Sequence, residues 1–197
     1  MSGTQDVVIA AGAESMSRVP MFSNIESIAA RFGVAEFSQF DGAEAIARKY
    51  GFDRETLDRY ALESHRRAAA ATQAGAFNAE IVPIMVDDEP HWRDEGIRLD
   101  ATLEAIASVK PLRDGGVITA ANASQICDGA SAVLVVNERA LKAHGLTPIA
   151  RIVDLTVTAG DPVIMLEEPL FATDKALRKA GLSINDIDLM SAPIPTG

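Results

Sequence analysis

Val7 to Ala11 is an apolar run of strand length with no polar alternation, which predicts a strand covered on both faces. It meets the small residues Gly12 and Ala13 and then the polar turn Glu14-Ser15-Met16-Ser17. The next hundred residues read as much helix, little strand and many charges. Ala43 to Tyr50 is predicted helical, and Asp53 caps a second helix with Thr56 and Leu57 in its first turn. Leu57, Tyr60, Ala61 and Ser64 mark one face of that helix, and Gly75 is predicted to end it. His65, Arg66 and Arg67 read as a solvated face rather than a phosphate site. Ile81 to Val86 is predicted as an edge strand because it contains Pro83. An acidic connection, Asp87 to Gly96, leads to a short helix over Leu103 to Val109 and a breaker cluster, Lys110 to Gly116.

The stretch TAANASQICDGASAVLVVNE, Thr119 to Glu138, passes from small polar residues into an apolar run. It reads either as a backbone kept thin for a ligand or as a turn feeding a buried helix that begins near Asp128-Gly129. A helix over Glu138 to His144 follows, ended by Gly145, and then a strand over Ile149 to Val157. Asp161-Pro162 breaks the chain. Ala172 to Ala180 is predicted helical, with Lys175, Arg178 and Lys179 toward its negative end and Gly181 as its cap. Ile187 to Met190 reads as the start of another buried strand, closed off by Pro193 and Pro195.

Composition narrows the chemistry. Of 197 residues 48 % are apolar, which is enough for a sizeable core. No apolar run approaches the roughly 20 residues that cross a bilayer, so no membrane partner is expected and the cytoplasm is the expected location. One cysteine, Cys127, excludes an internal disulfide and a Cys-rich metal site. His65, His91 and His144 show no ligand spacing. The formal charge of −10 disfavours nucleic acid, so an anionic ligand has to be held locally by a few cations or backbone N–H groups.

Several segments, in order, resemble the middle of a thiolase, a family of acyl-CoA C-acyltransferases. VVIAAGAESMSRVP is similar to the family's strand-turn VIAGGMESMS. LDRYALESHRRAAAATQAGAFNAEIVPI resembles its loop-domain helix and the strand after it, and VITAANASQICDGASAVLVV resembles its T-x-T-A-G-N-A-S-x-x-N-D-G-A-A-A segment. RIVDLTVTAGDP, the Met165 region and ATDKALRKAGLSINDIDL fit the start of the second half. The resemblance implies an α/β, thiolase-like but incomplete fold, with mixed sheets layered with helices and an inserted helix-rich loop domain. Residues 1–147 would be the later part of the N-terminal domain, with the loop domain at about 17–116, and residues 148–197 the start of the C-terminal domain.

The implied reaction is thiolytic cleavage of 3-ketoacyl-CoA by CoA, or the reverse Claisen condensation, in fatty-acid or related acyl-CoA metabolism. The family's chemistry uses a nucleophilic cysteine at a helix N-terminus, a second cysteine that moves the proton, a Gly-His-Pro turn and the Asn of an Asn-Glu-Ala-Phe motif. None of the four motifs occurs in the 197 residues. The nucleophile motif would precede Met1, and the second cysteine and Gly-His-Pro turn would lie beyond Gly197. Where Asn-Glu-Ala-Phe is expected the chain reads Met190-Ser191-Ala192-Pro193. Cys127 stands where the family usually carries Asn or Ser and reads as a small packing residue, so no residue here is assigned as catalytic and none as a metal ligand.

What the resemblance leaves is a coenzyme A-holding part. Ser124 would contact the pantetheine arm, with Ala120 along the same arm. Arg98 would lie near the nucleotide end, and Met165 would pack over the acyl and pantetheine pocket. No cofactor is implied beyond CoA thioesters as substrates. Association is implied, as a homo-oligomer or with a complementing thiolase chain. The turn Ala11-Gly12-Ala13 replaces a frequent Gly-Gly-Met. Phe37-Ser38-Gln39-Phe40-Asp41-Gly42 replaces a His-Met-Gly run of short-chain members, so a different acyl preference is expected. Three readings stay open: a thiolase subunit inactive by itself, a non-catalytic CoA-binding or partner-binding module, and a truncated fragment.

Overall fold

The computed structural model describes residues 3–19, 23, 31 and 38–190. The elements in chain order are β1 (Val7–Glu14), α1 (Gln39–Tyr50), α2 (Arg54–Gln73), β2 (Ile84–Val86), β3 (Glu89–His91), α3 (Leu103–Ala107), β4 (Gly129–Val136), α4 (Glu138–Ala143) and α5 (Glu168–Ala180), with a 3-10 turn at Ile184–Asp186. The described residues fall into two compact units. One holds residues 38–125, and the other holds residues 3–19 and 126–190 with positions 23 and 31. Among the described residues no helix is long and apolar enough to cross a membrane.

In the unit of residues 38–125, both long helices begin at side-chain caps. The Ser38 hydroxyl accepts from Asp41 N at 3.3 Å, and Asp53 Oδ1 accepts from Thr56 N at 2.8 Å. Each cap satisfies an otherwise orphaned helix N–H and is worth about 1 kcal/mol. Between them Gly51 takes φ 71°, which ends α1 in the left-handed conformation and lets the chain reverse. The hairpin β2–β3 turns on Asp87 and Asp88, both at positive φ (49° and 65°). Paired positive-φ residues give the turn that matches strand twist. The strand predicted over Ile81 to Val86 starts only at Ile84, past the proline that lacks a ladder donor.

The centre of this unit is polar. Asp58, 1 % exposed on α2, accepts from Arg54 Nε at 2.7 Å and from Asn122 Nδ2 at 2.9 Å. Arg54 Nη2 reaches on to the carbonyls of Ile106, Ala107 and Val109 (3.1, 3.2 and 2.9 Å), where α3 ends. The Ile106 carbonyl also accepts Val109 N at 3.2 Å, so Arg54 joins the turn that closes α3. Asn122 also donates to the Val117 carbonyl at 3.0 Å and accepts from Thr119 N at 2.8 Å. Thr119 is fully buried, and its hydroxyl accepts from Ala121 N and Asn122 N. From α1, the buried Glu44 accepts Val117 N and Ile118 N, each at 2.8 Å. The face predicted from Leu57, Tyr60, Ala61 and Ser64 is therefore rotated. Tyr60 and Ser64 are exposed, and the buried positions of α2 are Asp58 and Ala69. A carboxylate took the inward position because it has two committed donors there.

In the other unit β1 and β4 pair antiparallel from Val7↔Val136 to Glu14↔Gly129. Both ends of the ribbon are tied. Asp6 accepts from Asn137 and Arg139 side chains, and Asn137 in turn caps α4 through Ala140 N at 3.0 Å. At the far end Asp128 Oδ1 accepts from Met16 N at 2.7 Å. The segment from Gly129 is thus a strand and not the helix considered above. Its run of β-branched residues pairs with another such run, and that decides between two readings that periodicity leaves equal. The expected burial of β1 is not met: Ile9 is 72 % and Val133 61 % exposed, on opposite strands of the ribbon. Ile149 to Val157 and Ile187 to Met190, predicted as strands, join no ladder. The first is instead held by α5, through Lys175 Nζ to the Val157 carbonyl (3.0 Å) and Lys179 Nζ to Asp154 (2.6 Å). Pro193 and Pro195 lie outside the described residues.

Replacing Asp58 by Ala leaves the Arg54 guanidinium and the Asn122 amide without their buried acceptor. The expected loss is about 3 kcal/mol, read as a lower urea midpoint with unchanged slope. The exposed pair Arg59–Glu55 is the control, and Arg59→Ala should leave the midpoint nearly unmoved.

Candidate functional site

The stretch Thr119 to Gln125 is shaped by the buried network. Thr119 N–H, the Thr119 hydroxyl and both ends of the Asn122 amide are committed inward, and Ala123 N closes the turn on the Thr119 carbonyl at 3.0 Å. The remaining surface of the turn is small. Ala120 is exposed, and Ala121, Ala123 and Ser124 are half-buried. Upstream, a Cβ on Gly116 would fall 2.3 Å from Glu44 Oε1, an oxygen already fixed by two N–H groups. Only glycine lets the chain enter the turn so close to α1.

Arg98 comes to the same unit on the loop before α3. That loop is tied to the small-residue turn by Gln125 Nε2, which donates to the Gly96 carbonyl. It is tied to α2 by Arg98 N, which donates to His65 Nδ1 at 3.2 Å. Arg98 then lines a cavity of about 460 Å³ with Leu62, Arg66, Ala69, Leu99 and Ala101 among its walls. Its guanidinium has no carboxylate partner among the described residues, whereas Arg66 is held by Glu63 through Nε at 2.6 Å. Arg66 therefore belongs partly to the charged face expected for it and partly to a cavity wall that the sequence did not reveal. A cavity with apolar walls and two guanidiniums suits a flat apolar group carrying phosphate.

Glu63 carries both Arg66 and Arg67, and their hydrogen bonds pull its carboxyl from the usual 4.5 down to about 2. Met165 lies in the other unit, half-buried, at φ +36°. That conformation is rare for a residue with a side chain, and the local fold holds it through Met165 N to the Asp161 carbonyl at 2.9 Å. Ser124, Ala120 and Arg98 are thus brought into one unit, and Met165 is placed in the second. Cys127 is exposed rather than packed. Among the described residues no cluster of His, Cys, Asp or Glu could hold a metal ion.

Sequence reasoning did not single out Glu44, Asp58 and Asn122, which set the shape of the turn. The signal for Asp58 was available, since it is an acidic residue one position from Leu57 inside an amphipathic helix. The partners that make it an inward residue are 64 positions away at Asn122 and four away at Arg54.

Residues 1–139 match the family model of the thiolase N-terminal domain, and residues 146–193 that of the thiolase C-terminal domain. The chain is 46 % identical to steroid 3-ketoacyl-CoA thiolase FadA6 of Mycobacterium tuberculosis, over 95 % of this chain and 50 % of that protein. It is 38 % identical to the mitochondrial 3-ketoacyl-CoA thiolase of Rattus norvegicus, over 94 % of this chain and 52 % of the relative. Among solved structures, human mitochondrial 3-ketoacyl-CoA thiolase in complex with CoA is similar with a TM-score of 0.80 at 38 % identity, over 93 % of this chain and 51 % of that one. The Bacillus anthracis acetyl-CoA acetyltransferase gives 0.81 at 33 % identity, over 95 % and 52 %. The α/β fold expected from the sequence is the fold of these proteins. The chain spans about half the length of the relatives it matches.

Glu63 gives a test of the charge arrangement. Its folded pKa is depressed, so its contribution to stability is fully present above about 4.5 and is lost as pH falls toward about 2. Carboxyl NMR is expected to show Glu63 titrating near that lower value, and Arg66→Ala should return it toward 4.5.

Proposed function

The chain belongs to the thiolase family, and from that premise we propose that it carries the coenzyme A-holding part of an acyl-CoA C-acyltransferase. The reaction is cleavage of 3-ketoacyl-CoA with CoA, or the reverse Claisen condensation, in fatty-acid or related acyl-CoA metabolism. In cleavage the CoA sulfur forms a thioester with the shortened acyl group, the bond between the second and third carbons breaks, and the released carbanion takes a proton to give acetyl-CoA. The residues that make and break those bonds are not among these 197. The residues present bind and orient.

The observation that carries the reading is the turn at Thr119 to Gln125, whose Thr119 and Asn122 are spent inward while its remaining small surface is Ala120, Ala121, Ala123 and Ser124. A thin pantetheine arm fits against such a backbone, with Ser124 as the hydroxyl offered to its amides and Ala120 leaving room. The adjoining cavity with Arg98 supports the nucleotide end being held there, through phosphate–guanidinium contacts in a chain of net charge −10. Met165, in its constrained conformation, is proposed to pack over the acyl and pantetheine pocket.

The division near residue 147 is part of the same proposal. It gives residues 1–147 as N-terminal domain with a loop domain at about 17–116, and residues 148–197 as the start of the C-terminal domain. The change of family model between 139 and 146 supports it. A cytoplasmic location and association, as a homo-oligomer or with a complementing thiolase chain, complete the reading. The apolar ribbon exposed on both strands supports association. Nucleic acid is disfavoured by the charge, and CoA thioesters are the substrates with no further cofactor.

The purified chain is expected to bind CoA in a calorimetric titration, with Ser124→Ala weakening it about three- to tenfold, the size of one lost hydrogen bond. With acetoacetyl-CoA and free CoA it is expected to show no thiolysis above background. Saturable turnover by these 197 residues would overturn the assignment of the chemistry to other residues.

A further inference from the structure

We propose that His65 is the positioning residue for the anion-holding end of this site, its imidazole Nδ1 fixing the backbone of Arg98 so that the guanidinium stands at the cavity. The inference rests on the reading that the cavity takes the nucleotide end of CoA. Four observations carry it. His65 is half-buried on α2, between the cavity-lining Leu62 three residues before it and Ala69 four residues after it, yet it does not itself line the cavity. Its Nδ1 accepts the N–H of Arg98 at 3.2 Å across 33 residues of sequence. The opposite side of the same loop is held by Gln125 Nε2 on the Gly96 carbonyl. The Arg98 side chain is left without a carboxylate partner among the described residues, so the loop's backbone is committed while its charge is not.

That division of labour has a physical consequence. An arginine on a free loop would lose backbone as well as side-chain freedom on meeting a phosphate. One whose backbone is already held loses only the latter. The acceptor role also sets the tautomer of His65, since Nδ1 accepts only when the ring proton is on Nε2. A histidine in this role touches no ligand. It acts through Arg98.

The test uses the 197-residue chain and two ligands, CoA and pantetheine, which share the arm and differ in the nucleotide. His65→Ala should weaken CoA about three- to tenfold and leave pantetheine unchanged. His65→Gln, whose amide oxygen can accept the same N–H, should restore CoA binding. Arg98→Ala should weaken CoA at least as much, and adding His65→Ala to it should change nothing more. The proposal is overturned if Arg98→Ala weakens CoA while His65→Ala does not, if His65→Ala weakens both ligands alike, or if the Gln variant binds as poorly as the Ala variant. If wild type holds CoA no more tightly than pantetheine and Arg98→Ala alters neither, the reading of the cavity itself falls and the role of His65 with it.

Discussion

A buried carboxylate governs the unit of residues 38–125. Asp58 lies where an apolar residue would ordinarily face inward, and its charge is tolerable only because Arg54 and Asn122 both donate to it. Those two donors carry the constraint outward. Arg54 gathers the last carbonyls of α3, and Asn122 holds the turn that begins at Thr119. Glu44 does the same from α1 by taking two successive N–H groups. Two helices, a third helix end and the small-residue turn are joined by hydrogen bonds with fixed directions. An apolar contact of equal area would have allowed them to slide.

This arrangement reconciles the two explanations of the small-residue stretch. The turn is structural on its inner side, where Thr119 and Asn122 are saturated, and bare on its outer side, where Ala120 and Ser124 are left. A surface of small side chains results from spending Thr119 and Asn122 on the core. The cations follow the same logic. In a chain with ten excess negative charges most arginines are paired, Arg59, Arg66 and Arg67 on their own helix and Arg113 with Asp41. Arg98 has no carboxylate partner among the described residues, while its backbone is held by His65.

The ribbon unit obeys a different constraint. Asp6 and Asp128 tie the two ends of β1 and β4, so register is set by polar groups at the margins. The strands between them are apolar on both faces and exposed. A sheet built of such strands is one that other layers are meant to cover.

The sequence by itself determined the local signals: the Asp53 cap and the helix it opens, the helix at Ala172 to Ala180 with Gly181 as its cap, the strand at Val7 and the family to which the chain belongs. Each depends on residues within a turn or two, or on a string of motifs read in order. Tertiary structure alone decided that Gly129 to Val136 is a strand, because a short apolar run suits strand or helix until a partner such as β1 selects one. It also left Ile149 to Val157 without a ladder, turned Asp58 inward and Tyr60 outward on α2, and set His65 beneath Arg98. Those outcomes turn on hydrogen bonds and strand pairings between residues 33 to 129 positions apart. Periodicity carries no record of such partners, since it reports which face of an element is apolar and not which distant donor will make a polar residue acceptable there.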